Sequence, residues 1–238
     1  MIERLTYPAG DGRPMEAWVA RPEGQGPYPA VLVVHEIYGL VDNLEPILER
    51  FAAEGYVALA PNLYDRDASG PVCVTRCMLA MQRGNGEAVD DLYAALDYLS
   101  DDPHVDDTRM AVTGFCMGGG FALVMALDAR VSAAAPFYGM SDGYLEKIES
   151  SCPVVASYGQ RDLVFLAKGK KLKRHLVQAG IEHDHKVYPG VGHSFMTTPR
   201  GTWTERLGKV GPMRVGYDPE AAEDAWARML AFFGAQLS

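Results

Sequence analysis

The sequence lacks the features of several large protein classes. No stretch approaches the roughly 18 consecutive apolar residues of a membrane-spanning helix, and residues 1–8 carry no basic region followed by an apolar one, which argues against a secretory signal. Basic residues are scarce: 22 Lys and Arg stand against 31 Asp and Glu, giving a formal net charge of −9. Nucleic-acid surfaces need clustered positive charge. We therefore expect a cytoplasmic protein that binds neither membranes nor nucleic acids.

Cysteine and the common cofactor motifs are also scarce. Four cysteines in 238 residues do not resemble the disulfide framework of a small secreted domain, so we expect free thiols. Cys73 and Cys77 are four residues apart, but no second Cys or His pair completes a zinc site of usual spacing, and His35-Glu36 lacks the second His of a zinc protease. Neither a Gly-x-Gly-x-x-Gly nor a Walker-type loop occurs. The residues therefore predict neither a metal site nor a nucleotide site.

Short apolar runs that alternate with helical patterns dominate the rest of the chain. The predicted strands are 2–7, 15–21, 30–34, 56–60, 110–113, 131–137, 153–158 and 185–188, and the predicted helices are 43–54, 87–100, 117–127, 165–178 and 219–236. Strands that alternate with helices form βαβ units. We expect one α/β domain spanning residues 1–238, with a mostly parallel central sheet of about 7–8 strands and helices on both faces.

Two irregular segments interrupt this pattern. Residues 65–86 and 197–217 are rich in Gly and Pro and show no clean periodicity, apart from a possible short helix over residues 75–82. Long irregular segments in compact domains often border binding sites. Both are predicted to be pocket-bordering loops.

The most informative stretch begins with the apolar run that ends at Gly114. Cys116 follows two residues later, then Gly118 and an Ala-rich helical segment. This Gly-x-Cys-x-Gly spacing is that of a nucleophile elbow, in which a tight strand-to-helix turn presents one nucleophilic side chain. The free N–H groups and partial positive charge of a helix N-terminus favour thiolate over thiol there. A buried, inert Cys in a Gly-rich turn is the alternative.

Four polar residues stand where predicted strands end: Glu36, Cys116, Asp162 and His193. In an open parallel sheet, ligands gather at the carboxyl ends of the strands. The order nucleophile, acid, histidine is that of α/β-hydrolases. Each residue also has a structural interpretation, since Asp162 can cap the helix after it, His193 can be a loop histidine and Glu36 a solvated carboxylate. His35 is interpreted as loop support rather than as a base.

These motifs resemble the dienelactone hydrolase (carboxymethylenebutenolidase) family of α/β-hydrolases. The resemblance runs from His35-Glu36 through Pro61-Asn62-Leu63-Tyr64, the elbow, Tyr138-Gly139 and Gly159-Gln160-Arg161-Asp162 to Gly192-His193-Ser194-Phe195. It implies a cofactor-free, monomeric hydrolase that cleaves small esters or lactones through a thioester. The roles implied by the resemblance are Cys116 as nucleophile, His193 as base, Asp162 as its orienting carboxylate, Glu36 as a buried carboxylate contacting the thiol, and the N–H groups of Ile37 and Met117 as the oxyanion hole.

The sequence departs from the family where the substrate carboxylate is held. The family is expected to use one arginine in the lid and one shortly after Gly-His-Ser-Phe, but Met196 and Thr197 follow Phe195 here, and Arg200 lies farther on. The candidate substrate-binding residues are Arg76, Arg83, Arg200, Tyr64 and Phe195. Three alternatives stay open: a general carboxylesterase with no need for a substrate carboxylate, a non-catalytic ligand-binding relative, and a peroxide sensor that oxidises Cys116.

Overall fold

The computed structural model describes residues 1–65, 70–199 and 208–238. The strands are β1 (Ile2–Pro8), β2 (Pro14–Ala20), β3 (Tyr28–Val34), β4 (Val57–Pro61), β5 (Val105–Phe115), β6 (Val131–Phe137), β7 (Val154–Gly159) and β8 (His183–Tyr188). The helices are α1 (Glu45–Ala53), α2 (Pro71–Arg83), α3 (Glu87–Asp101), α4 (Met117–Met125), α5 (Asp142–Leu145), α6 (Leu166–Ala179) and α7 (Pro219–Gln236). Short 3₁₀ turns cover Asp42–Leu44 and Ile148–Ser150.

The eight strands form one sheet in the order β1-β2-β4-β3-β5-β6-β7-β8. The strands from β4 to β8 in this order are parallel, whereas β2 pairs antiparallel with both β1 and β4. This confirms the predicted mostly parallel α/β sheet. Parallel pairing brings the carboxyl ends of β3, β5, β6, β7 and β8 to one edge, where the four predicted polar residues follow their strands.

Helices cover both faces of the central strands. Residues 31–34 of β3 are fully buried at every position, and because successive side chains of a strand point to opposite faces, neither face is open to water. On one side α1 and α7 pack together, with the rings of Phe51 and Trp226 4.6 Å apart. Such packing confirms the α/β architecture expected from the alternating pattern.

The prediction for residues 65–86 is wrong in one respect. A 13-residue helix, α2, occupies most of the segment, where the sequence suggested a loop with at most a short helix. Two Cys, a Pro and polar residues obscure the helical spacing of its apolar residues. Buried Cys73 and Cys77 lie on its inner face. Tertiary packing of small thiol side chains therefore stabilises a helix that periodicity alone does not reveal.

No helix in the part of the chain that the structure describes is long and apolar enough to cross a bilayer.

Candidate active site

Cys116 occupies the tight turn between β5 and α4. Its backbone has φ 56° and ψ −112°, a region that non-glycine residues rarely adopt and that costs of order 1–3 kcal/mol. The two glycines of the motif permit the turn, because a Cβ on Gly114 would lie 2.2 Å from the carbonyl oxygen of Gly118, and one on Gly118 would lie 2.1 Å from that of Val34. The thiol is partly exposed. The strand-turn-helix geometry predicted for this stretch is confirmed.

Asp162 and His193 come together although 31 residues separate them. Nδ1 of His193 lies 2.6 Å from Oδ2 of Asp162, and both side chains are buried. The other carboxylate oxygen, Oδ1, accepts the backbone N–H groups of Val164 and Phe165 at 3.2 and 3.0 Å. One oxygen of Asp162 thus caps the turn before α6, and the other is hydrogen-bonded to the imidazole of His193.

Two aromatic rings hold the imidazole of His193. The ring centroids of Tyr138 and Phe165 lie 4.6 and 4.8 Å from it. Nε2 has no well-aligned hydrogen-bond partner among the described residues. Burial opposes protonation of this ring, but Cys116 and then Asp162 outweigh it and raise the pKa of His193 to about 10. The side chains of His193 and Cys116 are therefore close enough to interact.

Glu36 lies beside this group, buried at the end of β3. Its Oε1 accepts the hydroxyl of Ser194 at 2.9 Å, and its Oε2 accepts that of Thr197 at 3.3 Å. The carboxylate is therefore tied to the residues that follow His193 and is not a solvated strand-end group. Sequence reasoning did not anticipate either hydroxyl.

The loop after β3 is fixed by His35. Its Nε2 accepts the N–H of Leu63 at 3.2 Å, so Nδ1 carries the proton and donates it to the carbonyl oxygen of Glu36 at 2.7 Å. The Glu36 carbonyl and the Ile37 N–H belong to one planar trans peptide, so fixing the carbonyl also fixes the N–H, which points the opposite way. Burial lowers the pKa of His35 to about 4, so the ring is neutral at neutral pH. His35 supports the loop, as predicted.

Tyr64 contacts both residues whose N–H groups are predicted to form the oxyanion hole, Ile37 and Met117. Its hydroxyl donates to the carbonyl oxygen of Ile37 at 3.0 Å and lies 3.8 Å from Sδ of Met117. The N–H groups of Ile37 and Met117 donate to no protein acceptor among the described residues. Two unpaired N–H groups next to a nucleophile form the kind of arrangement that binds a developing negative charge.

Tyr138 is a site residue whose role sequence reasoning missed. It is fully buried, has φ 42°, and packs on His193. Burial, then the charges of Glu36 and Cys116, raise the pKa of Tyr138 well above its usual value. Among the described residues, four non-glycine residues have positive φ, and three of them, Cys116, Tyr138 and Ser194, belong to this one site. Backbone strain concentrated in this way is typical of functional sites.

Comparison with known proteins identifies the family of this chain. Residues 15–237 match the sequence model of the dienelactone hydrolase family. The chain belongs to the dienelactone hydrolase family. It is 30% identical to a "Putative carboxymethylenebutenolidase" of Synechocystis sp. over 92% of this chain and 91% of that one, and 32% identical to one of Yersinia pestis over 93% and 84%. The crystal structure of a "Putative Dienelactone Hydrolase" from Klebsiella pneumoniae superposes with a TM-score of 0.80 at 26% identity, covering 98% of both chains.

As a member of the dienelactone hydrolase family, the protein is a hydrolase with the α/β-hydrolase fold. Of the three candidate arginines for a substrate carboxylate, the two that the structure describes, Arg76 and Arg83, both lie on α2. Arg83 is exposed near the C-terminal end of α2, where its backbone meets Gly143. Arg76 lies seven residues before Arg83 on α2, contacts Cys73 and pairs with Glu87. Arg200 lies outside the described residues.

The remaining predicted pocket residues differ in placement. Phe195 is fully buried between Tyr138 and Tyr188, so it packs behind the site and has no surface to offer a substrate. Tyr64 faces the loop after β3, as described above. The described parts of segment 197–217 do border a pocket, because Thr197, Lys209 and Tyr217 line a small cleft at Glu36.

Proposed function

We propose that this protein hydrolyses small esters or lactones by nucleophilic catalysis at Cys116. The observation that carries the proposal is the convergence of three groups distant in sequence. His193 is hydrogen-bonded to Asp162 at 2.6 Å, and its pKa is raised by Cys116 on the strained elbow. A nucleophile, a base and an orienting carboxylate in this relation form the arrangement of acyl-transfer enzymes.

In the first half-reaction, the proton of the Cys116 thiol passes to Nε2 of His193. The thiolate attacks the carbonyl carbon, and the carbonyl oxygen takes the negative charge, facing the N–H groups of Ile37 and Met117. The carbon–oxygen bond to the alcohol then breaks, the imidazolium returns its proton to the leaving alkoxide, and an acyl thioester remains on Cys116. For a lactone, the alcohol stays attached to the acyl group.

In the second half-reaction, a water molecule loses a proton to His193 and attacks the thioester carbonyl. The carbon–sulfur bond breaks, the thiolate recovers the proton through His193, and a carboxylic acid leaves. Asp162 stabilises the imidazolium in both halves. Glu36, which accepts hydrogen bonds from Ser194 and Thr197, is the carboxylate that we assign to contact the Cys116 thiol in the resting enzyme.

The experiment compares Cys116→Ala with wild type on p-nitrophenyl acetate and on a small lactone. We expect kcat/KM to fall by about 10³-fold or more, and mass spectrometry of rapidly quenched wild type to find an acetyl group on Cys116. Cys152→Ala is the matched control, since Cys152 hydrogen-bonds to Pro153 at the start of β7, away from the site. Retention of wild-type rates in Cys116→Ala would exclude the mechanism.

A second candidate is a general carboxylesterase that needs no carboxylate on its substrate. The placement of two arginines favours it. Arg76 pairs with Glu87, and Arg83 is exposed at the C-terminal end of α2. The two candidates are separated by comparing a neutral aryl acetate with its carboxylate-bearing analogue. A clamp of arginines favours the anion steeply, whereas the general esterase hydrolyses both at similar kcat/KM.

A further inference from the structure

Arginines without a carboxylate partner are concentrated at one cleft. Most arginines of the described chain form an ion pair with Asp or Glu, and those that do not are Arg83, Arg161, Arg174 and Arg214. Arg161 and Arg214 line the same cleft, together with Lys209, which also has no described ion pair. In a chain with a net charge of −9, three cations without a described ion pair give this cleft a local excess of positive charge.

The cleft is a formed cavity of about 270 Å³, and none of its described lining residues is Asp or Glu. Its walls are held by backbone hydrogen bonds to the loop that carries His193. Arg161 N–H donates to the carbonyl of Val191 at 2.7 Å on one side. On the other side the N–H of His193 donates to the carbonyl of Met213 at 2.8 Å, directly before Arg214. The backbone at each arginine is therefore held in place relative to His193, whereas both arginine side chains are exposed.

Arg214 has a backbone conformation that indicates a fixed position. Its φ is 51°, which is unfavourable for a residue with a Cβ and persists only where surrounding contacts require it. Gly192 packs so closely that a Cβ there would lie 1.8 Å from the Arg214 carbonyl oxygen. Close packing thus holds the backbone of Arg214 in place, although the Arg214 side chain is exposed.

The cleft continues into the pocket at Glu36. Lys209, Val215 and Tyr217 line both. Arg161 and Arg214 line only the cleft, and Glu36 lines only the pocket. A ligand that spans this surface would have an apolar or aromatic body and an anionic terminus directed away from Glu36.

We propose that Arg161, Lys209 and Arg214 form a binding subsite for a phosphomonoester group carried by an ester substrate. Three cations match a group with a charge of about −1.5 to −2 and three acceptor oxygens better than they match a carboxylate, which has one charge and two oxygens. Guanidinium groups bind phosphate oxygens bidentately, and an ammonium adds a point charge. The subsite deepens the proposed function, since it assigns a substrate class to the same hydrolytic site.

The test measures binding apart from catalysis. Phenyl phosphate and benzoate are titrated calorimetrically into wild type, Arg214→Gln and Arg161→Gln at low ionic strength. The matched control is Arg83→Gln, which removes the same charge from an exposed arginine outside the cleft. We expect phenyl phosphate to bind wild type at least about tenfold more tightly than benzoate. Its affinity should fall at least about fivefold in both cleft variants and should not change in Arg83→Gln. Added salt should lower the affinity of wild type for phenyl phosphate.

Cys116→Ala separates this proposal from the proposed function. It should bind phenyl phosphate as wild type does, whatever its effect on hydrolysis. Failure of Cys116→Ala to lose activity would overturn the thioester mechanism and leave the subsite intact. Absence of saturable phenyl phosphate binding, equal affinity for benzoate, or equal weakening in Arg83→Gln would each overturn the subsite.

Discussion

At the scale of single residues, the site contains two histidines whose pKa values shift in opposite directions. The pKa of His193 is raised by its interactions with Cys116 and Asp162, whereas burial lowers the pKa of His35, a neutral ring whose two nitrogens serve backbone groups of one loop. The same side chain thus supplies an acid–base group at one position and a fixed hydrogen-bonding bridge at the other. Burial acts against the charge in both, and only His193 has anionic partners to overcome it.

The raised pKa of His193 gives a defined pH dependence of stability. Its pKa is about 10 in the folded protein and about 6.5 in an unfolded chain, so the folded state binds the proton more tightly. The contribution is complete below pH 6.5 and is lost as pH rises toward 10. Urea unfolding should show the free-energy difference between wild type and His193→Gln shrinking across this window. Cys116→Ala should lower the folded-state pKa of His193 and with it the upper end of this pH window. An unchanged window would contradict the role assigned to Cys116.

His35 should act on turnover more than on substrate binding. His35→Ala removes the donor that fixes the Glu36–Ile37 peptide and leaves the N–H of Leu63 without its acceptor. We expect kcat to fall about 10- to 100-fold with little change in KM, and the free energy of unfolding to fall by about 1–3 kcal/mol. His35→Gln, which can donate and accept, should recover part of kcat. A change confined to KM would contradict a role in positioning the oxyanion donor.

At the scale of elements, the junction of β5 with α4 has no room for an added side chain at its glycines. The Cα of Gly118 lies against the end of β3, and a Cβ there would meet the carbonyl oxygens of Val34 and His35 at 2.1 and 2.7 Å. Both contacts are with backbone, which cannot turn away as a flexible side chain can. Close approach of α4 to β3 also keeps Met117 near Ile37.

Gly118→Ala should therefore destabilise the protein and displace the elbow. We expect a loss of at least about 2 kcal/mol in the free energy of unfolding, together with a lower kcat. Gly234→Ala is the matched control, because Gly234 lies within α7 and nothing lies within 4 Å of its added Cβ. That substitution should stabilise by about 0.5–1 kcal/mol. Equal effects of the two substitutions, measured by chemical denaturation, would contradict the close packing at the elbow.

At the scale of the whole molecule, the face of the sheet opposite α2–α4 is closed by α1 and α7. Trp226 on α7 is buried against Phe51, and Arg50 lies over the indole at 4.4 Å. Arg50 also forms two hydrogen bonds with Glu223 at the surface, at 2.6 and 2.7 Å. An apolar contact and an exposed ion pair thus join the same two helices, although only the first removes a large apolar area from water.

These two contacts should differ in their effect on stability. Trp226→Ala is expected to lower the free energy of unfolding by about 3–5 kcal/mol, and Arg50→Gln by less than about 2 kcal/mol, because exposed ion pairs contribute little and the stacking adds of order 1 kcal/mol. Thermal unfolding measures both. Neither should alter kcat/KM of the folded fraction, and a direct effect of Trp226→Ala on kcat would show that α7 reaches the catalytic chemistry.

The sequence by itself determined the order of the elements and the position of the nucleophile. The buried run of β3, the Gly-x-Cys-x-Gly turn and the start of α7 at Pro219 are local patterns, and each is set by near neighbours in the chain. The strand-end positions of Asp162 and His193 could be predicted for the same reason, since parallel strands bring their carboxyl ends to one edge.

Only the tertiary structure decided what the site's side chains contact. Ser194 and Thr197 bind Glu36, Tyr138 packs on His193, α2 replaces a predicted loop, and Arg161 and Arg214 face one cleft, although 53 positions in the sequence separate them. None of these contacts leaves a periodic or short-range pattern. They arise from the packing of distant segments, where burial and hydrogen-bond geometry act between residues that the sequence does not place side by side.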